Sequence, residues 1–176
     1  TAGGNVFNIA ATATIFGRNA GLAIAGDNNV ITNAGDIGSS AGSALNLTGA
    51  TNSLANSGHI RSASVAVSFN FGSDNSVTNS GRIESLQASA ISLGEGSNTV
   101  ITTGVLVGTQ GVQFTGIGVN TDSLFNSGSV LGTLSEVVTP PERMRRRQRV
   151  LWLGGATPGL AGSYAILILV GFWQRG

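Results

Sequence analysis

Five copies of one short motif recur along this chain at an almost fixed interval, and that periodicity limits the possible folds more than any other feature. NAGDI (33–37), NSGHI (56–60), NSGRI (79–83), TTGVL (102–106) and NSGSV (126–130) place Gly35, Gly58, Gly81, Gly104 and Gly128 at spacings of 23, 23, 23 and 24 residues. Other columns run in phase with them. Four residues before each glycine stand Ile31, Leu54, Val77, Val100 and Leu124, and two residues after it stand Ile37, Ile60, Ile83, Leu106 and Val130. Two residues before the glycine the series is Asn33, Asn56, Asn79, Thr102, Asn126; six before it, Asn29, Asn52, Asn75, Asn98, Asp122. Between motifs the apolar residues alternate, as in Val65, Val67, Phe69 and Phe71, or Ile91 and Leu93, with Gly, Asn and Ser clusters separating the runs. Period two with β-branched and aromatic residues reads as strand, and the clusters read as turns.

A unit of 23 residues cannot bury its own apolar side, so such repeats stack. The expected fold is all-β: a parallel β-helix, or β-solenoid, with rungs of about 23 residues. Parallel strands about 4.8 Å apart set equivalent side chains above one another. Each inward Ile, Leu or Val then contributes roughly 1.5–3 kcal/mol on burial. The stacked Asn33, Asn56, Asn79 and Asn126 amides are expected to bond along the stack as a ladder. The motif glycines mark a corner that a Cβ would obstruct or that needs positive φ. A bulky β-branched residue at those glycines is expected to be especially damaging. Residues 1–25 read as an irregular first coil or N-terminal cap, with Asn19, Ala20 and Gly21 as a partial echo of the motif. Residues 26–138 read as the repeats.

Composition breaks near residue 138. Of the 176 residues, all three prolines, both tryptophans, the only tyrosine and the only methionine lie beyond it, and none of the asparagines do. The body carries seven acids against three arginines, the tail six arginines and one acid, and the chain has no lysine. Residues 139–176 are therefore expected to lie outside the solenoid, as a poorly structured or helical tail. Three readings of that tail stand open. The run RMRRRQR (143–149) before an uncharged stretch fits a membrane span with a positive flank. Its strong apolar part, 164–173, is too short to cross as a helix. Nucleic-acid binding by the arginines has no interleaved aromatics to support it, and no nucleic-acid partner is expected. The reading that fits the compositional break best is a segment foreign to the solenoid, translated out of register or joined to it. The start at Thr1, without Met or a secretory signal, points to a processed product or a fragment.

With these columns in place, the body resembles the passenger domain of a bacterial autotransporter. The resemblance rests on NSGHI, NSGRI and NSGSV with the preceding GATNS, GSDNS and GVNTDS turns, over roughly residues 26–132. The same texture occurs in filamentous haemagglutinin-like adhesins and other secreted β-solenoids. The resemblance implies a right-handed parallel β-helix, an extracellular or outer-membrane-associated location, and an adhesive or spacer role with a host glycan or matrix surface as partner. The absence of cysteine agrees with secretion through the outer membrane. The family's C-terminal β-barrel translocator is not in this chain.

If Ile37, Ile60 and Ile83 point inward, their neighbours point out, and Asp36, His59, Arg61, Arg82 and Glu84 share one face. That cluster could bind an anionic sugar, or Asp36 could orient His59 as a base toward Ser57 or Ser80. The favoured reading is plainer: Asp36 with His59, and Arg61 with Glu84, are cross-rung pairs on a wet surface worth about 0–1 kcal/mol each. Asp27, Asp74, Glu95 and Asp122 lie near asparagines but lack a calcium-repeat pattern and read as solvated turn residues. Phe69, Phe71 and Phe114 are expected in the core. Absence of thiols, a lone histidine and the lack of a phosphate-loop motif leave no expectation of a metal, a cofactor or a nucleotide. The function expected is a non-enzymatic structural or adhesive segment. The alternative is a polysaccharide-binding or polysaccharide-degrading β-helix, which would need carboxylates facing one groove. The open ends of such a stack also suggest self-association.

Overall fold

The structure, a computed structural model, describes residues 3–116, 121–136 and 149–152. The readings of residues 139–148 and 153–176 lie outside these. The chain winds as a parallel β-solenoid. The first coil holds β1 (Val6–Ile9), β2 (Thr14–Gly17) and β3 (Ala20–Ala25); the second holds β4 (Val30–Asn33), β5 (Asp36–Ser39) and β6 (Ser43–Thr48). The third holds β7 (Ser53–Asn56), β8 (His59–Ser62) and β9 (Val67–Phe69); the fourth holds β10 (Ser76–Asn79), β11 (Arg82–Ser85) and β12 (Ser89–Leu93). Then come β13 (Thr99–Thr102) with β14 (Val105–Phe114), β15 (Ser123–Asn126) with β16 (Ser129–Glu136), and β17 (Arg149–Trp152). No helix occurs among the described residues.

Every strand pairing is parallel. The first face stacks β1, β4, β7, β10, β13 and β15 in order, about five turns, and β17 follows with Val150 against Leu124. The second face stacks β2, β5, β8, β11 and the start of β14, and the third stacks β3, β6, β9, β12 and the end of β14. The in-phase columns are literal stacks: Ile31, Leu54, Val77 and Val100 are register partners, as are Ile37, Ile60, Ile83 and Leu106, and all are fully buried. Leu45, Val67, Ile91 and Val112, with Leu47, Phe69 and Leu93, complete the interior from the third face.

The corner between the first two faces explains its residues. Asn33, Asn56 and Asn79 turn inward there and are buried, with Asn33 Nδ2 donating to Asn56 Oδ1 at 2.8 Å and Asn56 Nδ2 to Asn79 Oδ1 at 2.7 Å. Thr102 closes this run by accepting from Asn79 Nδ2 at 3.2 Å, and Asn126 Oδ1 accepts from the Gly128 amide at 2.9 Å. Of the two reasons offered for the motif glycines, space is the one that applies. A Cβ at Gly58, Gly81, Gly104 or Gly128 would lie 2.1–2.2 Å from the carbonyl oxygen of the glycine one coil before, and one at Gly35 would lie 2.4 Å from two carbonyl oxygens. None of the five has positive φ.

Positive φ falls instead at the turn before each first-face strand, at Gly26 (113°), Gly49 (120°) and Gly72 (100°), and again at Asn28, Thr51 and Asp74. A second asparagine ladder holds that turn. The Asn29, Asn52, Asn75 and Asn98 amides donate to Asn52, Asn75, Asn98 and Asp122 Oδ1 respectively, at 2.9–3.1 Å. A third buried column, Ser39, Ser62 and Ser85, closes the corner between the second and third faces. Each hydroxyl donates to a carbonyl of the preceding coil and accepts a local backbone amide. Asn19–Gly21 is not an echo of the motif, because Ala20 pairs with Ser43 on the third face. The true counterpart of Asn33 in the first coil is Ile9, and the first coil takes two more steps than the second to turn this corner, five from Ile9 to Thr14 against three from Asn33 to Asp36.

Candidate functional site

The charged cluster sits on the outer side of the second face. Strands β5, β8 and β11 turn two columns outward there, Asp36, His59 and Arg82 in one, Gly38, Arg61 and Glu84 in the other, each in register, with Gly38 itself buried. The cores of these strands are Ile37, Ile60 and Ile83, so alternation alone places all five ionisable groups outward.

The pairing of these groups differs from the straight cross-rung pairs expected. Arg61 reaches diagonally to Asp36 (Nη2 to Oδ2, 3.1 Å), and Glu84 takes Arg82 of its own strand (Nε to Oε2, 2.8 Å) together with His59 (Nε2 to Oε2, 3.5 Å). The reason is competition and space. Arg82 of the same strand already occupies Glu84, and Gly38 leaves the room across which Arg61 leans toward Asp36, its Cγ lying 3.7 Å from where a Cβ of residue 38 would stand. Phe16 of β2 covers the same glycine from the other side, with a ring carbon 2.6 Å from that Cβ position, and is itself 59% exposed. Nothing in the alternation of the first coil marked Phe16 as part of this surface.

Hydrogen bonding to Arg82, opposed by partial burial and reinforced by the Arg82 and His59 charges, holds the Glu84 carboxyl below its usual range; the same bond raises Arg82. With His59 neutral, the two arginines balance the two carboxylates and the cluster offers no surplus positive field for an anion. Asp36 Oδ1 and His59 Nε2 are screened from solvent without a hydrogen bond. Neither serine joins them: Ser57 Oγ donates to the Asn33 carbonyl at 3.3 Å and Ser80 Oγ to the Asn56 carbonyl at 3.4 Å. The nucleophile, base and orienter considered from sequence are thus not hydrogen-bonded to one another, and the cluster as it stands can bind by charge and hydrogen bond.

Two of the turn acids, Asp27 and Asp122, are engaged with a neighbouring coil, and Asp74 with its own turn. Asp27 Oδ1 accepts from the Ala50 amide at 2.8 Å, Asp74 Oδ2 from Ser73 Oγ at 2.7 Å, and Asp122 ends the second asparagine ladder. Among the described residues no group of three His, Asp or Glu converges as metal ligands would, and no helix is long and apolar enough to cross a membrane.

Of the three phenylalanines expected inside, Phe69 is buried and Phe114 packs against the core, but Phe71 is 70% exposed. Strand β9 ends at Phe69, so the alternation that placed Phe71 inward stops two residues too early. The buried serine column was also overlooked, although its signal is plain in hindsight: Ser39, Ser62 and Ser85 each follow the motif glycine by four residues. Comparison of the chain with protein-family models, curated proteins and solved structures found no match.

Proposed function

We propose that the chain is a non-enzymatic structural and adhesive segment of an autotransporter-like protein, displayed extracellularly at a bacterial surface, with a glycan or matrix surface as partner. The observation that carries this reading is where the polar groups of the repeat go. The buried amides and serine hydroxyls tie one coil to the next, and the charged side chains of the second face pair with one another. Such a chain gains length and a regular outer surface with each coil, which suits a stalk or a display scaffold. The test is adhesion: purified chain on beads should bind a glycan array or immobilised matrix proteins above a scrambled-surface control. An array and matrix panel giving no signal would remove the adhesive half of the proposal and leave the spacer.

A second reading, action on a polysaccharide, is favoured by one feature: an exposed aromatic, Phe16, beside Arg61 and Asp36 on the charged face. Turnover of an anionic polysaccharide that disappears in Arg82→Ala and Glu84→Gln would establish it over the first.

A further inference from the structure

We infer that Phe71 and the uncharged amide row beside it on the third face form a stacking site for a neutral oligosaccharide, a ligand class that deepens the adhesive reading and lies on a different face from the charged cluster. The local cause is a one-residue bulge. Leu47 is in register with Phe69, yet Gly49 follows Leu47 by two residues whereas Gly72, stacked on Gly49, follows Phe69 by three. The hydrogen bonds mark the slip: the Asn70 amide donates to the Leu47 carbonyl at 3.0 Å, and the Gly49 amide donates to the Phe71 carbonyl at 3.0 Å. The extra residue gives Phe71 the place that Thr48 holds one coil earlier, whose carbonyl accepts from the Gly26 amide. Two successive side chains, Asn70 and Phe71, are therefore exposed. A bulge of this kind re-aims a side chain while the strands around it stay rigid.

The groups next to the ring suit a sugar. Ser68 Oγ donates to Asn70 Oδ1 at 2.7 Å, and Asn70 Nδ2 donates to Asn46 Oδ1 at 2.6 Å, which fixes both amide planes. The Asn46 amide nitrogen has no partner among the described residues and is left to donate outward. The register column Ala23, Asn46, Ser68 and Ser92 on β3, β6, β9 and β12 carries no charge, and of these Ser68 is buried beneath its bond to Asn70. Phe71 lies just past the end of β9, where the Gly49 amide bonds its carbonyl, and its ring stays exposed as a stacking surface. The ring face attracts the C–H groups of a pyranose, and amides meet its hydroxyls as both donor and acceptor. An anion would find no counter-charge on these strands.

The full chain is titrated with neutral hexasaccharides of gluco, manno, galacto and N-acetylglucosamine configuration, by calorimetry and by aromatic NMR. At least one is expected to shift the Phe71 ring resonances more than those of Phe16 or Phe125. Phe71→Ala should weaken that binding about tenfold, Phe71→Trp should preserve it, and Asn46→Ala should weaken it, with the thermal midpoint unchanged because Phe71 is exposed. No shift with any probe, equal binding by Phe71→Ala, loss of binding in Phe71→Trp, or binding lost instead in Arg82→Ala would overturn the site. None of these outcomes decides whether the chain adheres to a surface by another face, which the bead assay measures separately.

Discussion

Thr51 carries a β-branched side chain at φ 56°, between Asn28 at 59° and Asp74 at 58° in the same turn of the adjoining coils. Left-handed backbone costs an ordinary L-residue about 1–2 kcal/mol, and Asn and Asp tolerate it best. The hydroxyl offsets part of this by donating to Asn28 Oδ1 at 2.8 Å, a bond an asparagine amide can also make. Thr51→Asn is therefore expected to stabilise the protein by about 1 kcal/mol in urea unfolding; a lower midpoint would show that the turn is not strained. Glu84 supports a second prediction. Its carboxyl is depressed below the ordinary value of 4.5 in the folded state by its bond to Arg82. The stabilisation is then complete above the unfolded value and is lost as pH falls through the folded one. Stability should fall as pH drops below that ordinary value, and Glu84→Gln should flatten the fall by less than about 1 kcal/mol, since both partners are partly solvated. Residue-scale features divide into what period alone reveals and what geometry adds. Ile37, Ile60 and Ile83 announced themselves by spacing, whereas the diagonal Arg61–Asp36 pair depends on side-chain reach, which no periodicity encodes.

At the scale of a ladder or a strand, the corner amides act as a unit. Asn56 accepts from Asn33, donates to Asn79 and to the Gly58 carbonyl, and is buried. Asn56→Ala strands groups on both neighbouring coils and should cost about 2–4 kcal/mol. Thr102→Asn extends the ladder and should add about 1 kcal/mol; the two substitutions compared by guanidinium unfolding test whether continuity along the stack matters. If Asn56→Ala costs no more than an exposed change such as Thr78→Ala, the ladder is ornamental. The asparagine columns were visible in the sequence because their residue type repeats. The serine column is legible by its fixed place four residues after each motif glycine, though not by residue type, since serine also fills the turns; the bulge at Asn70 was hidden because one inserted residue is compensated within the same coil, leaving the glycine spacing at 23.

For the whole molecule, nearest-neighbour stacking means that coils are exchangeable so long as phase is kept. Removing residues 53–75 joins Asn52 to Ser76, which occupies the register place of Ser53. That shortened chain should fold, keep a β-type circular dichroism spectrum and lose stability by one coil's share, while removal of 22 or 24 residues at the same point, which puts a one-residue slip into the turn and its asparagine ladder, should cost further stability. Equal stability of all three deletions would refute register-locked stacking. The overall architecture was the most legible level of all, since a solenoid writes its cross-section into the sequence once per turn; Phe16 and Phe71, which lie outside the periodic columns, were the least. The asparagine ladders have a further consequence. Each amide hydrogen passes toward the C-terminal neighbour, Asn33 to Asn56 to Asn79, so the column has a sense, like the nap of a cloth. A coil laid against it the other way round would set oxygen facing oxygen. Copies added along the stack would join tail to head, a contact that extends into threads wherever the rotation between copies does not bring the ends round to meet.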